Sequence, residues 1–288
     1  MSWWRTVLAS RWRGIFKWFL RLLTRKCELE RVCELERFGA ARTCAIEKSL
    51  RLSKNPELRL YAEDPGTDVG QAVEHVLNVK QIVSQKNISF AQAFGVCLSQ
   101  IASASQLLEE VEERRGVKYS EENEVHEKLL LQLWTALMPG QELQSRHTSQ
   151  WGEIGFQGTN PATDFRGMGL LSLENLVYFS TEHGDVARKV LSHSHHPKLG
   201  YSFAVVGINL TSLALELLRE GSLRRHLYSE ASKRKIDMKQ FHEVYCTLFQ
   251  KFSAFWRDEE PENVMAFNAI RAKFKTHIIN QLEETCQL

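Results

Sequence analysis

No stretch of the chain reads G-x-x-x-x-G-K-[ST], so it lacks the glycine-rich cradle and lysine with which a GTPase or ATPase holds its own nucleotide. Gly167-Met168-Gly169 is short of the third glycine of a dinucleotide fingerprint and follows no strand pattern. The G-x-S-x-G elbow of many acyl-transfer serines is missing as well. Cysteine is sparse, six residues in 288 with no C-x-x-C pair, which fits reduced thiols and speaks against a zinc site. Charge of either sign is in little excess: a net +2 makes the molecule no general polyanion binder, and nucleic acid is not an expected partner. Lys17 and Arg21 interrupt the only apolar run near the start, which leaves it too short for a membrane span. The same charges, with no small-residue cleavage site after them, make a poor secretory leader. Alternating strand patterns are few, so the expected fold class is all-α. An apolar share of 43% is enough to fill the core of one or two domains.

What charge there is lies unevenly. Residues 1–26 hold seven basic side chains, no acidic one, and four of the seven tryptophans. On a helix, Arg13, Lys17 and Arg21 fall on one stripe at i, i+4, i+8. Trp12, Ile15, Phe16, Phe19, Leu22 and Leu23 gather on the other side. That pattern predicts an N-terminal amphipathic helix lying in the plane of a membrane surface, with Trp3, Trp4, Trp12 and Trp18 as further contacts. The expected location is then cytoplasmic, peripheral to an intracellular membrane. The alternative is a helix that packs on its own domain.

The hexamer Cys27–Val32 recurs at Cys33–Phe38 in part, and its interleaved glutamates and arginines read as a solvated helix face carrying the first helix onward. Asn55-Pro56 and Asp64-Pro65-Gly66 mark residues 53–67 as a linker. Helices are expected over 69–83 and 90–111, the second region ending in acids, then Arg114-Arg115, then Gly116. Ser120 is the expected cap of the next helix, which Pro139-Gly140 ends. His193, His195 and His196 lack metal-ligand spacing and read as a polar turn before Pro197, so no metal is expected. Residues 203–218 form a strongly apolar helix, and the aromatic stripe from Phe241 to Trp256 has helical spacing and reads as core. Glu260-Pro261-Glu262 is the expected start of the last helix. The implied regions are 1–53, 67–116 and 117–288.

The most informative stretch is Trp151–Phe179. Gly155, Gly158, Gly167 and Gly169, with Pro161 between them, predict an ordered loop, and the apolar run from Met168 to Phe179 predicts a buried helix directly after it. The loop presents one guanidinium, Arg166, beside Asp164 and Phe165. Two roles are open for it: a structural one, bonded to Asp164 or to backbone carbonyls, and a phosphate-directed one, since the planar charged fork suits phosphoryl oxygens.

The pattern W-x-x-I-G-F-Q-G-x-x-P-x-T-D-F-R-G-x-G over 151–169 resembles the signature of the ELMO domain, in particular that of the small ELMO-domain-containing proteins. His196–Ser202 with Val206–Thr211, and Phe255-Trp256 with Glu259–Glu262, fit the same family. The resemblance implies an ELMO-domain helical bundle over roughly 124–279. It also implies a GTPase-activating protein for Arf and Arf-like small GTPases, an activator rather than an enzyme with its own turnover. Arg166 stands where the family carries its arginine finger, supplied in trans to the partner. Asp164, Gly155, Gly158, Gly167 and Gly169 would hold and aim it, with Trp151, Phe156 and Phe165 packing the loop. No cofactor of its own is implied, because the GTP and Mg are bound by the partner GTPase. Engulfment-type relatives depart at the arginine and act as scaffolds with Dock exchange factors, so a non-catalytic scaffold is the alternative.

Overall fold

Helices account for nearly all the regular structure. The computed structural model describes residues 18–34, 39–83, 87–231, 236–285 and 288, and among these there is no strand. The all-α expectation therefore holds. The described residues fall into two units, one running through Gln106 and including Ala231, the other comprising Leu107–Glu230 and the residues from Ile236 on.

In the first unit, residues 18–24 are helical, and the chain then breaks at Arg25, whose φ is +53°. A new helix, Glu28–Glu34, follows. The expected continuous extension is thus interrupted, and Leu29 turns inward rather than lying on a solvated face. The segment 53–67 is also more than a linker. Asn55 accepts a bond from the Glu57 amide at 2.8 Å and opens the short helix Pro56–Leu60, with proline at its first turn. Leu58 and Ala62 from this stretch are buried. Val69–Lys80 is capped by Asp68 and stops where Gln81 adopts the left-handed conformation, short of the expected Val83. By length and composition the helix Ile88–Gly116 passes for a membrane span, and its Phe94, Leu98 and Ile101 are fully buried against the protein.

The second unit is a bundle of long helices: Glu124–Leu137, Gly169–Glu182, Gly184–Ser194, Phe203–Arg219, Met238–Asp258 and Phe267–Thr285. Asn123, not Ser120, caps the first of these, accepting from Val125 at 2.9 Å. Ser120 instead holds the turn before it, accepting from the Glu122 amide. Phe203–Arg219 is buried along most of its length, as its composition predicts. At Gly207 it is crossed so closely that a Cβ would stand 2.6 Å from Leu176 and 2.8 Å from the Tyr245 hydroxyl. The aromatic stripe of Met238–Asp258 is core: Phe241, Tyr245, Phe249, Phe252 and Trp256 are all inaccessible. The last helix begins at Phe267 rather than at Pro261, because Asn263 caps an intervening 3₁₀ turn, Val264–Ala266.

One polar chain crosses this core. Asn175 donates to Thr211 at 3.0 Å and accepts from His242 Nδ1 at 2.7 Å, and the imidazole stacks on Tyr178. That arrangement assigns the proton of neutral His242 to Nδ1. Burial, reinforced by the Arg114 charge and partly opposed by Glu243 and Asp237, lowers its pKa from 6.5 to about 4. Between these values the unfolded chain binds the proton first, so stability present above pH 6.5 is lost as pH falls toward 4. At about 1.4 kcal/mol per pKa unit, this residue alone contributes up to ~3 kcal/mol of acid sensitivity. His242→Asn keeps a donor for Asn175 and does not titrate. Chemical denaturation from pH 7 to 4 should therefore show a flatter loss of stability in that variant, and parallel curves would refute the assignment.

Candidate functional site

The loop ahead of Gly169–Glu182 is built from two 3₁₀ turns, Ser149–Ile154 and Pro161–Arg166. Each starts at a side-chain cap. Thr148 accepts from Gln150, and Asn160 accepts from Ala162 at 3.0 Å with Pro161 in the position where no amide needs a partner. The two cap regions are tied together, since the Thr148 amide donates to the Thr159 carbonyl at 3.1 Å. Gly155 closes the first turn at φ +84°, and its carbonyl accepts from the Val205 amide at 3.3 Å. The loop thereby caps the Phe203–Arg219 helix, for which Ser202 makes no side-chain bond. At its far end Gly169 has φ +53°, and the Leu170 amide donates to the Val117 carbonyl at 2.8 Å.

Beneath the loop the rings form one continuous train. Trp134, Trp151, Phe156, Phe165 and Tyr119 meet in succession at centroid distances of 5.6, 5.9, 5.5 and 5.1 Å. The first three contacts are edge-on, a favourable geometry for aromatic pairs. Trp151 is wholly buried and donates from its indole to the Arg146 carbonyl at 2.9 Å. Phe156 and Phe165 are buried as well, so the packing expected of these three rings is what the structure has.

Behind the second turn lies a polar knot that the sequence reading did not find. Arg146 donates to Glu127 at 2.6 Å and to the Tyr119 hydroxyl at 3.2 Å, and reaches Asn160 Oδ1 at 3.5 Å. Asn160 in turn donates to Glu121 at 2.6 Å, and Tyr119 donates to Glu127. Burial and then the Glu127 carboxylate push the Tyr119 phenol well above its usual range. Burial works against the Arg146 charge, but its bonds to Glu127 and Tyr119 prevail and raise its pKa. The knot holds the very side chain that starts the Pro161–Arg166 turn. Asn160-Pro161 carried a legible cap signal, whereas Arg146 and Glu127, nineteen residues apart, carried none.

Arg166 is the last residue of that turn and is exposed. Its Nε donates to the Thr163 carbonyl at 2.7 Å, and among the described residues its two terminal nitrogens bond to nothing. Asp164 does not pair with it. That carboxylate instead accepts from the Gln157 amide at 2.8 Å and stitches the two halves of the loop. The neighbouring glycines differ from one another. Gly158 has φ +69° in open space, while Gly167 has an ordinary φ of −83° and no atom within 4 Å of where a Cβ would stand.

Residues 109–271, which contain the whole of this loop, match the ELMO/CED-12 family. The chain belongs to that family. Relatives of the ELMO domain extend the likeness across almost the full length. The chain is 44% identical over 278 residues to the mouse (Mus musculus) protein named ELMO domain-containing protein 2, covering 96% of this chain and 94% of that one. It is 40% identical over 289 residues to ELMO domain-containing protein 1 of Pongo abelii, with 94% and 88% covered. ELMO domain-containing protein B of Dictyostelium discoideum is 35% identical over 272 residues, with 93% of each covered. No solved structure matches the chain.

Of the residues assigned to membrane contact, Trp3, Trp4, Trp12, Arg13 and Lys17 lie outside the described residues. Trp18 and Arg21 are described, helical and exposed, and so are Phe19, Leu22 and Leu23. Among the histidines, His195 bonds to the Glu153 carbonyl at 2.8 Å and thereby steadies the first 3₁₀ turn. Among the described residues no group of three or more potential ligands is arranged to hold a metal.

Proposed function

We propose that this chain is a GTPase-activating protein for an Arf or Arf-like small GTPase, and that Arg166 is the arginine it supplies in trans. The observation that carries this reading is the contrast between a rigid loop and a free guanidinium. Caps, a buried ring train and a polar knot fix the backbone up to Phe165, and the next side chain points its two terminal nitrogens at no partner among the described residues. A preorganised fork of this kind neutralises charge developing on a transferring phosphoryl group without paying to order a loop at the moment of reaction. The nucleotide and its Mg belong to the GTPase. The test is single-turnover GTP hydrolysis by a panel of purified Arf-family GTPases, with wild-type protein and with Arg166→Lys.

The same proposal includes a place. Residues 3–26 would tether the activator to the cytoplasmic face of an intracellular membrane, where such a GTPase is met at raised local concentration. The support is the acid-free, tryptophan-rich composition, together with the exposure of Trp18, Phe19, Leu22 and Leu23, side chains that a core helix would bury. Each basic residue near an anionic surface adds about 1 kcal/mol. Deleting residues 1–26 is expected to leave a folded protein that still stimulates hydrolysis in solution but no longer sediments with anionic vesicles. Equal vesicle binding by both forms, or unfolding of the shortened one, would count against the tether.

A further inference from the structure

Lys118 lies between two contacts that bracket Arg166. On one side Val117 accepts from the Leu170 amide at 2.8 Å, and on the other the Tyr119 ring stands 5.1 Å from that of Phe165. The segment 117–119 therefore runs alongside 165–170, the stretch that holds Arg166 and Gly167. Tyr119 is turned inward, into the ring train and the Arg146 knot, while Lys118 is exposed and its ammonium has no partner among the described residues. Three of the acids packed near this face are engaged, while Glu113 and Glu122, which flank Lys118 in the chain, are exposed. Glu112 is held by Arg115 and Arg219, Glu174 by Arg114, and Asp164 by the Gln157 amide. Gly167 leaves the space beside Arg166 empty.

From this arrangement we infer that Lys118 is the second cation of one contact face, meeting the anionic edge of the phosphate-bearing pocket that Arg166 enters. The inference rests on the reading of Arg166 given above, but assigns Lys118 a different task. A compact, strongly hydrated ammonium at the edge of a contact acts by long-range attraction, which raises association and its salt sensitivity. The fork of Arg166 acts on the reaction itself.

The two tasks separate in a titration of stimulated hydrolysis against GTPase concentration. Lys118→Glu is expected to raise the half-saturating concentration roughly tenfold and to leave the maximal rate near wild type. Lys118→Arg should restore wild-type half-saturation, and added salt should narrow the gap between Lys118→Glu and wild type. Lys189→Glu, an exposed lysine on the Gly184–Ser194 helix, makes the same change in net charge and serves as the control. Lys118→Gln, with melting temperatures for all variants, guards against misfolding of the reversal. Unchanged half-saturation in Lys118→Glu, an equal shift in Lys189→Glu, or a lowered maximal rate alone would overturn the inference. A wild-type response from Arg166→Lys would instead overturn the reading on which it rests.

Discussion

Arg166→Lys is expected to abolish most of the stimulated GTP hydrolysis while leaving the fold untouched. An arginine supplied in trans raises turnover by about 10³ to 10⁵, and lysine keeps the charge but not the planar fork that engages two oxygens at once. The structural side of the expectation is equally specific. Arg166 is exposed, and among the described residues its side chain makes one bond, to the Thr163 carbonyl. A typical hydrogen bond contributes about 1 kcal/mol and less where water replaces it, so melting should shift by no more than a few degrees. The measurement is therefore a pair: single-turnover hydrolysis and a thermal melt on the same preparations. Lost activity with an unchanged melt supports the activator. A clear loss of stability in Arg166→Ala, with unchanged stimulation per folded molecule, would mean that the arginine serves the loop and that the chain acts as a scaffold. Asp164 sharpens the comparison. Because it holds Gln157 rather than Arg166, Asp164→Ala should loosen the loop without removing any bond of the guanidinium.

The parts of this architecture that were legible in the sequence are those carried by periodicity. The stripe Phe241–Trp256 and the run 203–218 repeat their apolar residues at helical spacing, and both proved to be core. The loop 151–169 could be read as ordered because glycine and proline punctuate it, and the helix after it because apolar residues fill it. Boundaries were less legible, since several residues in a row can cap. Ser120 and Asn123 both offer a side-chain oxygen, and only the position of the first buried turn decides for Asn123. Residues 53–67 looked like a linker because Asn-Pro and Asp-Pro-Gly start turns. The same Asn55-Pro56 pair also starts a helix, and Leu58 then finds a core to enter. The knot of Arg146, Glu127, Tyr119 and Asn160 was illegible for a different reason. Its members are brought together by tertiary structure, and nothing local in the chain announces that an arginine will bond, half-buried, to a glutamate nineteen residues away.

Gly155→Ala is expected to be among the most damaging small substitutions in the loop, and it separates glycines that look alike in the sequence. All four loop glycines read as turn residues, yet their surroundings differ. At Gly155 an alanine would adopt a left-handed φ of +84°, a strain of roughly 1–2 kcal/mol. Its Cβ would also overlap the Phe203 amide nitrogen and stand 2.7 Å from the Ser202 carbonyl carbon. Both are backbone atoms at the start of a buried helix, so no side chain can rotate away. Relief requires the loop and the helix to part, which adds about 1–3 kcal/mol of overpacking and weakens the Val205–Gly155 bond. Gly169, whose Cβ would overlap the Arg115 and Val117 carbonyls, belongs with Gly155. Gly158 carries the strain of a positive φ without any neighbour to strike, so Gly158→Ala should cost only the conformational part, about 1–2 kcal/mol. Gly167 carries neither, and Gly167→Ala should be neutral or stabilising by up to about 1 kcal/mol. With roughly 2–4 °C of melting temperature per kcal/mol for a domain of this size, Gly155→Ala should melt on the order of 10 °C below wild type and Gly167→Ala at or slightly above it. Equal losses at the three positions would mean that the loop tolerates or rejects a side chain for reasons other than these contacts. The ordering Gly155 below Gly158 below Gly167 would show that the loop is held to the Phe203–Arg219 helix by close backbone contact at its first turn, which the Gln157–Asp164 bond links to the turn ending in Arg166.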